Sequence, residues 1–205
     1  MTVARRWSAQ DTYAAEIEAA AGTYAVPRSI AYGLIAQESS FRPTAYRAEL
    51  NYRCSITGKV GDASYGLGQV LYCTALGMGY AGAPQGLFDV RTNLALAFRY
   101  LGDLLRARGS IPAALSNYNG GYRPSLGYGS PRADGTFANQ SYVDGVLEKA
   151  AYFDRYLADR DGVAAPSSPT PAPSTAGSGD LLGWILSGGL FAALLARLRK
   201  RRGTR

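Results

Sequence analysis

Val26-Pro27-Arg28-Ser29-Ile30-Ala31-Tyr32-Gly33-Leu34-Ile35-Ala36-Gln37-Glu38-Ser39-Ser40-Phe41-Arg42-Pro43 is the stretch on which the fold turns. Pro27 suits a first helical turn, where a missing N–H costs nothing, and Pro43 closes the segment. Between them Ile30, Leu34 and Glu38 recur at i, i+4, i+8, with Ala31 and Ile35 alongside. A short helix therefore carries one carboxylate on its apolar stripe. Unless it is paired, such a group has its pKa raised, because desolvation disfavours the charged form. A carboxylic acid that keeps its proton near neutral pH is what a general acid requires. The plainer alternative is an exposed Glu at a fraying helix end.

The 205 residues are enough for one domain of ordinary size plus appendages. Formal net charge is +7, but residues 197–205 hold six basic groups and no acid, leaving 16 basic against 15 acidic residues elsewhere. The high pI belongs to the tail, so no specific nucleic-acid partner is expected. The chain has no histidine, which excludes Ser-His-Asp and Cys-His hydrolases and His-ligated zinc peptidases. Chemistry must rest on carboxylates, hydroxyls, amides, Lys or Arg, or an oxygen-bound metal. Cys54 and Cys73 are too few for a structural zinc site. They either remain two reduced thiols or form one disulfide, which over a loop of about 20 residues contributes ~3 kcal/mol.

Taken in order, Ser8 and Asp11 read as a variant capping box. Tyr13, Ile17, Ala20, Ala21 and Tyr24 then continue as a helical stripe. The N-terminal residues contain no apolar run long enough for a secretory signal. From about Arg42 to Tyr72 the chain reads as loop, with Gly58, Gly61, Gly66 and Gly68 inside it and Gln69 at a tight turn. Leu94, Phe98, Leu101 and Leu105 mark the longest amphipathic helix, entered through Leu87-Phe88-Asp89 and stopped at Gly109. Ser110-Ile111-Pro112 restarts a helix that ends in Asn117-Tyr118-Asn119-Gly120-Gly121. Residues 121–135 read as surface loop, and a last helix over about 137–157 buries Tyr142, Val146, Ala150, Phe153 and Leu157. With no clear period-two segment, the expectation is a mainly α domain of five or so helices.

Together these motifs resemble the lytic transglycosylase (SLT) domain of the goose-type lysozyme superfamily, over about residues 20–155. Ile35-Ala36-Gln37-Glu38-Ser39-Ser40-Phe41 is similar to that family's Glu-Ser motif, and Gly66-Leu67-Gly68-Gln69-Val70 to its Gly-Leu-Met-Gln block, with Gly68 in place of Met. Leu87-Phe88-Asp89 and Arg99-Tyr100-Leu101 resemble its long helix, Asn117-Tyr118-Asn119-Gly120-Gly121 its Ala-Tyr-Asn-Ala-Gly block, and Tyr142-Val143 its Tyr-Val pair. The segment between Phe41 and Gly66, which contains Cys54, looks longer than in the simplest members. The resemblance implies a lysozyme-like helical fold and cleavage of the β-1,4 bond between N-acetylmuramic acid and N-acetylglucosamine in peptidoglycan glycan strands, without cofactor or metal. Glu38 would be the catalytic acid, then the base that helps the muramic 6-hydroxyl close a 1,6-anhydro ring. Gln69, Tyr118 and Asn119 would bind sugar or hold Glu38, with Ser39 and Tyr142 in support. Asp62 sits where goose-type lysozymes place a second acid, which would make the enzyme an inverting hydrolase; alternatively it caps a turn.

The expected organisation is an enzyme domain over 1–160, a Pro/Ser/Ala-rich linker over 161–180, a transmembrane helix over 181–198 and a basic tail over 199–205. Residues 181–196 carry no charge and, as a helix, are about 24 Å long, which flanking arginines can extend by snorkelling. The basic cluster would lie on the cytoplasmic or anionic-headgroup side. Export of such a domain without a signal is difficult. The expected location is therefore the membrane of a phage virion, among virion membrane proteins, used for local wall penetration; the alternative is the bacterial inner membrane with the enzyme facing the wall. From another class, a catalytically silent wall-binding or membrane-scaffold module remains open.

Overall fold

The computed structural model describes residues 3–162. Helix α1 (Ala14–Thr23) and helix α2 (Arg28–Ser39) are followed by strands β1 (Tyr46–Arg53), β2 (Val60–Tyr65) and β3 (Val70–Leu71). Helices α3 (Tyr72–Gly77), α4 (Val90–Arg108), α5 (Ile111–Gly120) and α6 (Gln140–Arg160) complete the order, with 3-10 turns at Pro84–Phe88 and Pro124–Leu126. The domain is mainly helical, as expected.

Helix α2 is the central element. Ile30 to Ala36 are all buried, and Tyr32, Phe41 and Phe153 form an aromatic cluster with Trp7. It lies against α6 at Gly33, where an added Cβ would sit 2.8 Å from the Val146 carbonyl oxygen and 2.9 Å from the Ala150 nitrogen. No side chain fits there, and this close crossing brings the C-terminal turn of α2 beside the first turn of α6. Helix α4 begins where the Asp89 carboxylate accepts the Thr92 N–H at 2.8 Å and ends at Gly109 in the left-handed region. Ser110 caps α5 by accepting the Ala113 N–H.

Four expectations are corrected. The stretch read as loop between Arg42 and Tyr72 holds an antiparallel sheet of order β1-β2-β3, paired from Tyr46↔Tyr65 to Glu49↔Asp62 and, past an irregularity, Arg53↔Val60. Its alternation (Tyr46, Ala48, Leu50, Tyr52) was present in the sequence, but β1 is exposed along nearly its whole length, so no buried face marks it. The capping box at Ser8 and Asp11 does not form. Helix α1 starts at Ala14 without a side-chain cap, and Asp11 accepts the Tyr156 hydroxyl at 2.7 Å and pairs with Arg5 instead. The last helix runs three residues later at each end than expected, and residues 121–135 contain a 3-10 turn and a bridge from Arg123 to Tyr128.

Cys54 and Cys73 are joined in a disulfide that fastens the β1–β2 hairpin to α3. At the other end of the molecule Glu18, Arg28, Arg160 and Asp161 form a closed ring of ion pairs of 2.6–3.2 Å linking α1, α2 and the end of α6. Among the described residues no helix is long and apolar enough to cross a membrane. The expected span at 181–198, its linker and its tail lie outside those residues.

Candidate active site

Glu38 occupies the last turn of α2, where the apolar stripe meets a groove between the sheet and helices α4 and α5. It is half-buried, and burial pushes its carboxyl up to about 7. Two weaker influences oppose this: the Tyr142 hydroxyl, which donates to Glu38 Oε1 at 2.5 Å, and the nearby Arg47 guanidinium. Tyr142 stands in the first turn of α6, so the crossing at Gly33 sets this contact. Burial and the Glu38 charge hold Tyr142 well above the ordinary phenol range, so it remains a donor.

The groove has two halves that share Glu38, Arg47, Gln69 and Asn119. One, of about 470 Å³, is walled by Tyr52, Leu96, Tyr100 and Tyr118 and is also lined by Glu49 and Arg123. The other, of about 570 Å³, is polar and is lined by Gln37, Arg42, Thr44, Tyr46 and Tyr142. Tyr118 donates to the Gly68 carbonyl at 2.7 Å, and its ring lies 5.4 Å from that of Tyr100. Asn119 accepts from Asn139 at 2.9 Å, and Asn139 also binds the Ser116 carbonyl and hydroxyl, tying the end of α5 to the start of α6.

Gln69 follows the Gly66-Leu67-Gly68 turn with a φ of 47°, and its amide donates to the Ala45 and Gly66 carbonyls. That turn is held from beneath by Asn93 of α4. Asn93 is fully buried; it accepts the Gly68 N–H and donates to the Tyr65 and Leu87 carbonyls, each at 2.8 Å. The glycine at 68 has a local cause, since a Cβ there would lie 2.5 Å from that of Ala97. Ser39 is buried and hydrogen-bonds back to the Ile35 carbonyl, one helical turn away, rather than reaching the groove. Asp62 is also turned away from reaction. Its two oxygens accept the Ala63 N–H at 2.8 Å and the Cys73 N–H at 2.9 Å, so it serves the first turn of α3.

Glu38, Gln69, Tyr118, Asn119 and Tyr142 thus converge on the groove, whereas Ser39 and Asp62 do not line it. Sequence reasoning did not single out Arg47, Glu49, Tyr52, Asn93 or Asn139. The alternation of β1 would have grouped Arg47 with Glu49, which form an ion pair at 2.7 Å. Nothing local to Asn93 or Asn139 marks them, because their partners lie 6 to 28 residues away.

The profile of the Transglycosylase SLT domain family matches residues 15–136, more than half of the chain. The chain belongs to this family. The SLT match includes Glu38, Gln69, Tyr118 and Asn119 but ends before Tyr142. Among solved structures, the 70-kDa soluble lytic transglycosylase in complex with bulgecin A is similar at 20% identity and a TM-score of 0.53, over 72% of this chain and 25% of that one. The 70-kDa soluble lytic transglycosylase SLT70 from Escherichia coli matches at 21% identity and 0.50, over 71% and 24%. An inactive Glu-to-Gln mutant of lytic transglycosylase Slt from Pseudomonas aeruginosa matches at 18% and 0.51, over 76% and 25%. These likenesses establish the lysozyme-like fold of the SLT domain, and the chain spans about a quarter of the length of these proteins. No curated protein sequence matches the chain.

Proposed function

We propose that this SLT domain is a peptidoglycan lytic transglycosylase that cleaves the β-1,4 bond between N-acetylmuramic acid and N-acetylglucosamine. The observation that carries the reading is Glu38, raised to about 7 and held through one oxygen by Tyr142 at the junction of the two halves of the groove. Near neutral pH a large fraction of Glu38 is protonated, as a general acid must be. It gives that proton to the glycosidic oxygen as the bond to the muramic anomeric carbon breaks. The resulting carboxylate then takes the proton of the muramic 6-hydroxyl while its oxygen bonds to the same carbon, so Glu38 ends as it began. Tyr118 and Tyr100 offer aromatic surface for a sugar, and Gln69 and Asn119 offer amides beside Glu38.

Internal ring closure is favoured over hydrolysis by the state of the other carboxylates. Asp62 is engaged by two backbone amides, and Glu49, the second acid in the groove, is paired with Arg47. An inverting hydrolase needs a carboxylate at liberty to activate water. A wall-binding module without turnover would gain nothing from a carboxyl so raised. The inactive mutant of the Pseudomonas aeruginosa protein is itself a Glu-to-Gln change, in keeping with an essential carboxyl in a domain of this fold. Attachment of the domain to a lipid membrane through 181–198, and its carriage in a phage particle, extend this proposal on the strength of the uncharged run and basic tail alone.

Mass spectrometry of the products from purified peptidoglycan tests the reading. Anhydro-muramic ends are expected; free reducing ends throughout would replace it with the hydrolase, and unaltered strands would leave the wall-binding module. Flotation of the full chain with liposomes, compared with a chain ending at Asp161, tests the anchor.

A further inference from the structure

The polar half of the groove contains a cation that the cleavage step does not use. Immediately after α2, Ser40 and Phe41 both take positive φ (52° and 62°), a conformation strained for residues with side chains. Buried Phe41 anchors the reversal, and the chain folds back so that Arg42 reaches the polar half. There Arg42 Nε donates to the Ser39 carbonyl at 3.1 Å, which fixes the plane of the guanidinium. Neither of its Nη atoms has a hydrogen-bond or ion-pair partner among the described residues. Thr44 and Arg47 line the same space. Glu38 is its only acidic lining residue, and that is the group whose proton is retained. A planar fork with two donors left over matches a carboxylate.

We infer that Arg42 is a specificity-determining residue that receives a carboxylate of the stem peptide borne by the muramic sugar. The inference rests on the proposed peptidoglycan substrate and extends it: the enzyme prefers strands whose stem carboxylates are free over strands in which they are amidated. The Arg42 side chain is exposed, so both Nη groups are open to a ligand entering the polar half.

Binding can be measured apart from turnover. The full chain carrying Glu38→Gln is sedimented with insoluble peptidoglycan, stripped of phosphate polymers with hydrofluoric acid, whose stem carboxylates are either free or amidated. The basic tail will itself favour the free form, so the quantity read is the change in the preference when Arg42 is altered. Adding Arg42→Gln is expected to reduce the free-to-amidated affinity ratio about tenfold, the value of one charge-assisted pair. Arg42→Lys, which keeps the charge without the tether, is expected to retain part of it. An unchanged ratio in Arg42→Gln, or a loss in Arg42→Lys as large as in Arg42→Gln, would overturn the inference. Because no bond is cleaved in this assay, a failure of the transglycosylase reading appears separately, in the products of the unaltered chain.

Discussion

Glu38 carries most of what can be tested at the scale of a single residue. Substitution by Gln removes the transferable proton and is expected to lower turnover of peptidoglycan by at least about 10²-fold, measured as released muropeptides, with the fold retained. Because the folded-state pKa is raised, the native chain binds more protons than the unfolded one between the ordinary glutamate value and about 7. Stability therefore falls as pH rises through that window, and Glu38→Gln escapes the penalty. The variant should unfold later than the unaltered protein at pH 8, by the order of 2 kcal/mol, and should match it at pH 4. Tyr142→Phe removes a hydrogen bond that favours the carboxylate, so the alkaline fall in activity, expected near pH 7, should move to higher pH even as the rate drops. Glu38 was legible in the sequence because its i, i+4, i+8 neighbours are its own helix. Tyr142 was legible only through a family motif, and Arg47 not at all, since the groove is assembled from segments far apart in the chain.

Between elements, the decisive geometry is the close crossing of α2 and α6. Gly33→Ala forces a methyl against backbone atoms of Val146 and Ala150, neither of which can rotate away. The expected cost is about 1–3 kcal/mol, read from denaturant midpoints, together with a loss of activity, because α6 carries Tyr142 away from Glu38. Asn93 plays the comparable part between α4 and the Gly66–Gln69 turn. Asn93→Leu strands one amide and two carbonyls and is expected to cost at least about 2 kcal/mol, seen in the same measurement. Helix periodicity made α2, α4, α5 and α6 readable to within a few residues, and the starts at Asp89 and Ser110 and the stop at Gly109 fell where capping chemistry puts them. The sheet was missed for the opposite reason. Its side chains alternate, but Tyr46, Leu50, Tyr52 and Val60 stay exposed, so the pattern encodes a groove wall and not a core face. The glycine at 68, which stands where the family pattern has Met, proves to be what lets α4 approach.

Across the whole domain, two cross-links frame the helical core. The Cys54–Cys73 bridge holds the hairpin that supplies Arg47, Glu49 and Tyr52 to the groove. Reduction, or paired Cys→Ser substitution, is expected to lower stability by about 2–4 kcal/mol and to raise KM more than it lowers kcat, since Glu38 and Tyr142 stand on the other side. The composition gave no sign of the second cross-link, the four-charge ring, whose members are spread from residue 18 to residue 161. That ring has a mechanical consequence. Chain leaving the domain at residue 162 departs from a clasp that joins three helices, so traction from beyond it is shared among α1, α2 and α6 before it can peel α6 from its C-terminal end. Tyr142, which holds Glu38, sits at the far end of that helix, sheltered from the pull. In a polypeptide tugged while its substrate is anchored in a wall, the clasp would act as strain relief.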